Sequence, residues 1–403
     1  MSAVVSVIIP NYNHASYLDE AIRSALAQTY PHVEVIVVDD GSTDDSRTVA
    51  ARYGDDITYI WQENQGLSAA RNTGIRAASG AYIALLDADD LLEPGYLAAL
   101  MATLEEHPEA SGAYCGYRFV DQHNCLLPQV ENRTPPPEQL SALLLKGNFW
   151  VPESPVVQRR CYEEAGPFDT SLRACEDWDM WLRFSRRWTL VGIPDILIRY
   201  RVVVGSMSSD PARMLANRLV VLNKHVGPEP HGLGADPEAS EAYARAYLRT
   251  AIEYLQTGDH GNVQRCLRRA AELHEPLMHE LATFYELSLG AQPRGYRGNP
   301  QELRLVESSA IMFALLDHLL RDPQLPAAAR RSQIYATAHL ALAHLHYQVG
   351  DSPSARRHLV QVSKHVPSMA LRPAYMRLAV RAVVGAGNVR YLKEKLGRGQ
   401  GSG

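Results

Sequence analysis

The stretch VEVIVVDDGSTDDS, from Val33 to Ser46, joins an apolar run directly to an acidic turn. Apart from Glu34, the residues from Val33 to Val38 are β-branched and apolar, which is typical of a strand buried on both faces. The residues that follow are Asp, Gly, Ser and Thr, which favour turns and helix starts. The stretch therefore predicts a buried strand that ends in a polar turn leading into a helix.

The same arrangement recurs on both sides of this stretch. Strand candidates, all short and apolar, alternate with helix candidates: strands at 4–10, 33–40, 57–62, 81–89 and 112–120, and helices near 16–28, 44–53, 68–78 and 94–105. This alternation predicts βαβ units, and so an α/β fold with a mixed, mostly parallel sheet covered by helices on both faces. Ligands of such sheets bind beyond the carboxyl ends of the strands.

The bulk composition sets the class of protein. With 403 residues the chain is expected to form two domains. A net charge of -5 argues against a nucleic-acid partner. The five cysteines contain no CxxC pair, which indicates reduced thiols in a cytoplasm. Because no apolar run reaches the length of a membrane span, we expect a cytoplasmic protein that is at most peripheral at the inner face of the membrane.

A change of character marks the domain boundary. Beyond Pro211 strand signals stop, and helical periodicity resumes after the Pro- and Gly-rich segment GPEPHGLGADPE, residues 227–238. We predict an α/β domain at 1–225, a linker at 226–235, an all-α domain at 236–396 and a disordered tail at 397–403.

Two segments of the all-α half resemble each other. Those starting at Ala251 and Ala343 share a Gly-Asp pair seven and eight residues on, a later leucine and a closing proline. This layout predicts two helices around a tight turn and resembles tetratricopeptide-type hairpins. An ordinary helical bundle with two similar hairpins is the alternative.

The turn after the first strand argues against two enzyme classes. Pro10, Tyr12 and Asn13 stand where a dinucleotide-binding fold needs glycines, and the chain has no phosphate-binding GxxxxGK[ST] loop. Hydride transfer and NTP hydrolysis are therefore not expected. Tyr12 can stack on a planar base, or it can be a partly buried core residue.

Two residues suit parts of a nucleotide. The carboxylate of Asp40 only accepts hydrogen bonds, so it suits the N3–H of uracil or thymine or the N1–H of guanine. Arg71, on the predicted helix after Gly66, suits phosphate oxygens. The alternatives are a turn-forming aspartate and a surface arginine on an amphipathic helix.

The stretch ALLDADDLLE, residues 84–93, ends a strand in three aspartates. Asp87 and Asp89 lie two residues apart, so at a bending strand end they can reach different parts of one ligand. Oxygen ligands suit Mg²⁺ or Mn²⁺. A helix-capping turn is the alternative, and it is the role we expect for Asp90.

A further acidic group, in RACEDWDMWLRF at 173–184, lies among tryptophans. Apolar neighbours raise the pKa of a carboxyl group and make it a better base near neutral pH, which suits Glu176 or Asp177. The alternative is an acid-rich helix start over an aromatic core.

The order of these motifs is more specific than any one of them. SVIIPNYN, VIVVDDGSTDDS, NQGLSAARNTGI, ALLDADD and CEDWDMW, over about the first 210 residues, closely resemble the family-two inverting glycosyltransferases of the GT-A fold. By that resemblance the nucleotide-sugar-binding residues are Pro10, Tyr12, Asn13, Asp40, Arg71, Asp87 and Ala88. Asp89 would coordinate the metal, Mn²⁺ or Mg²⁺. Asp177 would be the general base, with Glu176 in support.

The resemblance implies a metal-dependent, hexosyltransferase-type enzyme that transfers a sugar from a nucleotide diphosphate sugar and inverts its configuration. The expected donor is UDP-linked. The acceptor would be a glycan, lipid-linked or protein hydroxyl, as in bacterial surface polysaccharide synthesis. One position departs from the family, because Val203 stands where a histidine often completes the metal site. The alternative function is a scaffold that binds nucleotide without transfer and acts through its helical repeats, although the retained Asp89 and Asp177 argue against it.

The all-α half lacks an evident catalytic group. His339, His344 and His346 are expected to be structural, because no carboxylate partner is apparent for them. Basic residues among the apolar positions of 376–398 allow a peripheral contact with anionic lipid or a protein partner. A solvated terminal helix is the alternative.

Overall fold

The computed structural model describes residues 3–203, 205–231, 236–299 and 302–384. The chain divides into two compact units, Met1–Glu229 and Pro230–Gly403. The tail predicted at 397–403 and part of the linker predicted at 226–235 lie outside the described residues. Every helix within the described residues is too short or too polar to cross a membrane.

The first unit is built on one mixed sheet. Its strands are β1 (Val5–Asn11), β2 (Val33–Asp39), β3 (Thr58–Trp61), β4 (Tyr82–Leu85), β5 (Leu91–Leu92), β6 (Gly112–Val120), β7 (Leu126–Glu131), β8 (Pro155–Gln158) and β9 (Leu190–Arg201). They lie in the order β3-β2-β1-β4-β8-β6-β9-β5, and β7 pairs with β6. The strands β1 to β4 pair in parallel, and β8 pairs antiparallel with β4 and β6. The mixed sheet is thus confirmed. The acidic turns follow the parallel strands β2 and β4, and β6 and β9 form a second parallel pair.

Helices flank this sheet. They are α1 (Ala15–Leu26), α2 (Ser46–Ala50), α3 (Leu67–Ala77), α4 (Tyr96–Glu106), α5 (Pro137–Lys146), α6 (Arg159–Ala165), α7 (Glu176–Ser185) and α8 (Pro211–Val226). In α1 the buried residues Leu18, Ala21, Ile22 and Ala25 recur at helical spacing, so one face of the helix joins the core under the sheet. Up to residue 120 most elements agree with the predicted ranges, but the strand predicted at 81–89 ends at Leu85 and the α-helix predicted near 44–53 covers only Ser46–Ala50.

Close packing of α3 on the sheet depends on a glycine. A Cβ atom at Gly74 would lie 2.3 Å from Cγ2 of Ile8 in β1, closer than side chains pack. Glycine at this position lets α3 lie directly on the first strand. The helix therefore holds Arg71 beneath the ends of the central strands.

The second unit is helical. Its helices are α9 (Pro237–Thr257), α10 (His260–Leu273), α11 (Leu281–Leu289), α12 (Leu305–Leu319), α13 (Arg331–Gln348), α14 (Ser352–His365) and α15 (Pro373–Val384). The two similar segments fold as the predicted hairpins, α9–α10 and α13–α14. In each turn the glycine takes a positive φ, 73° at Gly258 and 86° at Gly350. The following aspartate, Asp259 or Asp351, caps the second helix by accepting a backbone N–H.

Candidate active site

The polar turns that follow β1, β2 and β4 meet at one edge of the sheet. Asn11, the last residue of β1, pairs with Asp39 in β2, and β4 runs parallel to β1 on its other side. Because parallel strands end at the same edge, PNYN, DDGST and DADD come together there.

The turn after β1 presents a ring to solvent. Tyr12 is 48% exposed, so the structure does not make it a core residue. Asn13 has a φ of 57°, and its backbone N–H donates to Oγ of Ser42 at 2.9 Å. The side-chain oxygen of Asn13 accepts the N–H of Thr43 at 2.7 Å. These bonds tie the turn carrying Tyr12 to the turn after β2, while Pro10 stays buried in β1.

Asp40 is buried and already hydrogen-bonded. Its Oδ1 accepts from Nε2 of Gln62 at 2.6 Å and from the N–H of Gln65 at 3.0 Å, and its Oδ2 accepts from the N–H of Gly66 at 2.7 Å. Only 2% of Asp40 is exposed. The carboxylate therefore holds the QENQG segment at the start of α3, and its contact with a base stays a prediction.

Arg71 is entirely buried, so the surface-arginine alternative is wrong. Its Nη1 donates to Oε1 of Glu176 at 2.5 Å, and its Nη2 donates to Oδ1 of Asp87 at 2.7 Å. Burial opposes its charge, but the two carboxylates hold the pKa of Arg71 above its usual range. A direct diphosphate contact stays a prediction, and the contacts described here favour a residue that positions Asp87 and Glu176.

The ALLDADD turn contains three different environments. Asp87 is partly exposed, and its backbone N–H donates to Oε1 of Glu153 at 2.8 Å. Ala88 is buried beside it. The backbone carbonyl of Asp89 accepts from Nε of Arg201 at 2.7 Å. Burial, with the nearby charge of Asp87, raises the pKa of Asp89.

The helix-capping role predicted for Asp90 is wrong. Asp90 does not cap the following helix, because α4 begins at Tyr96 with Gly95 at its N-cap position. Its Oδ1 instead accepts the backbone N–H of Arg201 at 2.6 Å. The short strand β5, which pairs antiparallel with β9, follows Asp90 directly and places it there.

Glu153 is a candidate site residue that sequence reasoning missed. Oxygens of Asp87, Asp90 and Glu153 lie within 4.8 Å of one another, an arrangement that can hold a metal ion. Glu153 is fully buried, and among the described residues its Oε2 has no hydrogen-bond partner. Burial and neighbouring carboxylates raise the pKa values of Asp90 and Glu153. Asp89, the predicted ligand, is not in this group, and its metal role stays a prediction.

The acid pair opens α7. Glu176 is buried against Arg71, whereas Asp177 is partly exposed and its Oδ2 accepts from Nδ2 of Asn148 at 2.8 Å. Burial, helped by the charge of Glu176 and opposed by Arg71, raises the pKa of Asp177 to about 7. The neighbouring Trp178 is buried, as the sequence pattern suggested.

A third acid on α7 serves as an anchor. Asp179 is fully buried and pairs with Lys224 at 2.9 Å and His225 at 3.1 Å, both on α8, and with Arg183 at 3.0 Å. Although burial alone would raise it, the hydrogen bonds from His225 and Lys224 and the charges of Arg183 and Lys224 hold the pKa of Asp179 below its usual value. The acidic helix start thus divides into an anchor, Asp179, and a partly exposed acid, Asp177.

The segment around Val203 lacks a metal ligand at the position where the family often has a histidine. Val203 is half-buried and its carbonyl accepts the N–H of Ser206 at 3.3 Å. Two residues earlier, Arg201 is buried and its Nη2 donates to Oε2 of Glu20 at 2.6 Å. Through its bonds to Asp89 and Asp90, Arg201 therefore holds the DADD turn in place.

The mixed sheet, its flanking helices and the acidic turn after β4 define the GT-A fold, the fold of nucleotide-diphospho-sugar transferases. The solved structure of residues 1–349 of TarS from Staphylococcus aureus is similar, with a TM-score of 0.50 and 18% identity over 70% of this chain and 86% of that one. At this identity the similarity supports the fold alone. The predicted fold class is confirmed.

The family model described as glycosyl transferase family 2 matches residues 6–151. An uncharacterized glycosyltransferase of Rickettsia prowazekii is 35% identical over 206 residues, which cover 50% of this chain and 64% of that protein. The putative teichuronic acid biosynthesis glycosyltransferase TuaG of Bacillus subtilis is 30% identical over 214 residues, 51% of this chain and 82% of TuaG. The chain belongs to glycosyltransferase family 2. It spans less than two thirds of the length of the Rickettsia relative.

Proposed function

We propose that the protein is an inverting, metal-dependent glycosyltransferase that transfers a sugar from a UDP-linked donor to an acceptor hydroxyl in bacterial surface glycan synthesis. One observation carries the proposal. Asp177 is a partly exposed carboxyl whose pKa is raised to about 7, and it adjoins Glu176, which Arg71 joins to Asp87. A base with this pKa is suited to proton transfer near neutral pH. The similarity to TuaG, described as a putative teichuronic acid biosynthesis glycosyltransferase, supports the surface-glycan part.

In this mechanism Asp177 takes the proton of the acceptor hydroxyl. The acceptor oxygen attacks the anomeric carbon from the side opposite the nucleotide, and the bond from that carbon to the diphosphate oxygen breaks. The electron pair leaves with the nucleotide diphosphate, and the configuration inverts. Glu176 and Arg71 hold Asp177 and Asp87 in position, so that the two reacting groups stay aligned.

On the donor side, Pro10, Tyr12 and Asn13 form the base pocket, and Asp40 receives the base N–H. The exposed ring of Tyr12 supports the pocket, because it is free to stack on a base. A carboxylate that only accepts hydrogen bonds favours uracil, thymine or guanine over cytosine and adenine. Asp87 and Ala88 contact the sugar side of the donor, and Arg71 acts near its diphosphate.

The acidic residues fit a divalent cation. Asp89 binds it in our proposal, and the grouped oxygens of Asp87, Asp90 and Glu153 offer the hard ligands that Mg²⁺ or Mn²⁺ prefers. The buried Oε2 of Glu153, which has no hydrogen-bond partner within the described part of the chain, is an atom that such an ion would satisfy. When bound, the cation neutralises charge on the diphosphate leaving group. Arg201 contributes by fixing the backbone of Asp89 and Asp90.

Calorimetry tests the donor first. Binding of UDP, GDP and dTDP is compared in the presence of Mn²⁺, and a panel of nucleotide sugars is then assayed for hydrolysis or transfer. We expect UDP to bind most tightly, and Asp177→Asn to bind it normally while losing turnover. If none of the three nucleotides binds, the proposal is wrong.

A second candidate is a nucleotide-binding scaffold without transferase activity. The observation in its favour is Val203, which supplies no metal ligand where the family often has one. This candidate predicts nucleotide binding with no turnover of any donor by either the natural protein or Asp177→Asn. Release of nucleotide product by the natural protein alone would exclude it.

The location we propose is the cytoplasm, at the inner face of the membrane. In α15 and just before it, Leu371, Met376, Val380 and Val383 are exposed, between 53% and 81%. Exposed arginines alternate with them, at Arg372, Arg377 and Arg381. Apolar and basic residues on one surface suit anionic lipid.

Co-sedimentation with phosphatidylglycerol vesicles tests this location. Binding by the natural protein, and loss of binding in Arg377→Glu/Arg381→Glu, would support it. Equal binding to neutral phosphatidylcholine vesicles would contradict it.

A further inference from the structure

The second unit contains a column of four histidines between α13 and α14. His339 and His346 lie seven residues apart on α13, and His358 and His365 lie seven apart on α14. Residues at this spacing share one face of a helix. The ring centroids follow one another at 5.2 Å (His346–His358), 5.2 Å (His358–His339) and 5.6 Å (His339–His365). The two pairs therefore interleave along the hairpin, and we call them the histidine column.

The centre of the column brings two ring nitrogens face to face. Nδ1 of His339 and Nδ1 of His358 lie 2.9 Å apart. In a neutral pair one of these atoms must carry a proton and donate it to the other. Two nitrogens bound to one zinc ion at about 2.0–2.1 Å would lie roughly 3.3 Å apart in a tetrahedral site. A small adjustment, with the donor ring carrying its proton on Nε2 in place of Nδ1, would therefore make room for a metal ion between the two nitrogens.

The two rings are in the protonation state that binds metals. Burial lowers the pKa of His339 and of His358 to about 4, with neighbouring histidine charge as the next cause. At neutral pH both rings are uncharged, so a metal ion would not compete with a bound second proton. Both side chains are half-buried, which leaves the pair reachable from solvent.

One end of the column is held by a carboxylate, which corrects the expectation that none was near. Nδ1 of His346 lies 3.1 Å from Oδ2 of Asp351, and the His346 ring stacks on His358. A carboxylate on one ring nitrogen fixes the orientation of an imidazole, as around many metal-binding histidines. Asp351 thus steadies His346, which in turn limits the tilt of His358.

We propose that the histidine column binds one Zn²⁺-like transition-metal ion between Nδ1 of His339 and Nδ1 of His358, with water completing the coordination. Imidazole ligands suit Zn²⁺, Cu²⁺ and Ni²⁺, whereas the carboxylates of the first unit suit Mg²⁺ or Mn²⁺. Within the described residues, three ligands gather within 4.8 Å only at Asp87, Asp90 and Glu153, so the site proposed here has two protein ligands. The ion would link α13 to α14.

The test uses the full chain after removal of metals. Isothermal titration with ZnCl₂ and thermal unfolding with and without Zn²⁺ are compared for the natural protein, His339→Gln/His358→Gln and His344→Ala. His344 is the matched control, because it lies on the same helix, is half-buried and contacts Tyr285. We expect the double variant to lose at least tenfold in Zn²⁺ affinity and most of the Zn²⁺-dependent rise in Tm. We expect His344→Ala to keep both. Equal affinity in the natural protein and the double variant would overturn the proposal.

A second measurement needs no variant, in case the double variant does not fold. Diethyl pyrocarbonate modifies free imidazoles, and mass spectrometry then reports the modification of each histidine in the natural protein. We expect Zn²⁺ to protect His339 and His358 several-fold while leaving His344 unchanged. Protection that is equal at all three, or absent, would contradict the site. Neither result depends on the glycosyltransferase activity.

Discussion

Nη2 of Arg71 lies 2.7 Å from Oδ1 of Asp87, and Nη1 of the same guanidinium donates to Oε1 of Glu176. One buried cation thus joins the turn after β4, assigned to the donor, to the first residue of α7, which carries the proposed base. Asp87 lies 16 positions after Arg71 in the chain, and Glu176 lies 105 positions after it. The two halves of the proposed reaction are therefore held together by a single side chain of α3.

Arg71→Lys is expected to damage both stability and activity. A lysine ammonium is a point charge that cannot fork onto two carboxylates. One buried carboxylate would lose its partner, and breaking such a pair costs about 3–5 kcal/mol in the free energy of unfolding. Urea denaturation measures this loss, and turnover of the donor should fall with it. Arg76→Lys, an exposed arginine on the same helix, is the control and should change neither quantity.

The proposed base should set the pH dependence of the rate. With a pKa of about 7, Asp177 is a carboxylate only above that pH, so kcat/KM should rise as pH increases through about 7 and then level off. Asp177→Asn should lose about 10²–10⁴-fold in kcat and the rising limb with it. Asp55→Asn, at an exposed acid, should keep the natural profile. A profile that is flat between pH 5.5 and 8.5 would exclude Asp177 as the base; that range spans about 1.5 pH units on either side of the pKa.

Asp177→Asn should lose activity without losing stability. A carboxyl whose folded-state pKa is raised above its unfolded value contributes stability at low pH, which is lost as pH rises through the folded-state pKa. Asparagine cannot ionise. Asp177→Asn should therefore be at least as stable as the natural protein above pH 7, by thermal unfolding. A large loss of stability there would mean that the loss of activity reflects misfolding.

Asn148 should tune this pKa. It donates to Oδ2 of Asp177 and so favours the charged form. Asn148→Ala removes this hydrogen bond, and the rising limb of kcat/KM should move to higher pH. A shift to lower pH would show that another group controls the limb.

Metal removal should weaken donor binding. If Asp89 holds a divalent cation, UDP affinity measured by calorimetry should fall at least tenfold in chelator and in Asp89→Ala, and the two effects should not add. Asp55→Ala serves as the exposed-acid control. Unchanged UDP affinity in both chelator and Asp89→Ala would remove the metal from the mechanism.

Glu153 offers a separate test of the acidic group. Glutamine can still accept the N–H of Asp87 but carries no charge, so Glu153→Gln should raise the metal-free Tm at pH 8, where the raised pKa of Glu153 costs the native protein more stability than at acidic pH. Glu153→Ala leaves that N–H unpaired and should cost about 1–3 kcal/mol. A metal-free Tm lower in Glu153→Gln than in the natural protein would contradict this account.

Local patterns were sufficient for most of the longer strands and helices of the first 120 residues. The apolar runs of β1 and β2 and the polar turns after them are read directly from composition, because burial and turn chemistry are local there. The carboxyl-end rule then placed the turns carrying Tyr12, Asp40 and Asp87 at one edge. The Gly-Asp turns of the second unit were equally readable, since glycine and aspartate have local roles at Gly350 and Asp351.

Long-range contacts could not be read in this way. Glu153 lies 66 positions from Asp87 in a segment with no distinctive pattern, and only the antiparallel insertion of β8 beside β4 brings it there. Asp90 was assigned to a cap because the pairing of β5 with β9 has no local signal in two residues. The burial of Arg71 likewise depends on its partners, which the helical pattern of α3 does not reveal.

The three hydrogen bonds at Asp40 have a consequence for nucleotide choice. Two of its donors are backbone N–H groups, and the third, Nε2 of Gln62, belongs to a side chain held by Oγ1 of Thr73 at 2.7 Å. In our proposal a base N–H that reaches this buried carboxylate displaces the Gln62 amide, the one of the three donors that belongs to a side chain, so recognition becomes an exchange of partners with little net gain in enthalpy. Discrimination would then come from the bases that cannot take part in the exchange. Cytosine and adenine would meet a closed Gln62–Asp40 pair, and UDP binding should register as a swing of the Gln62 side chain.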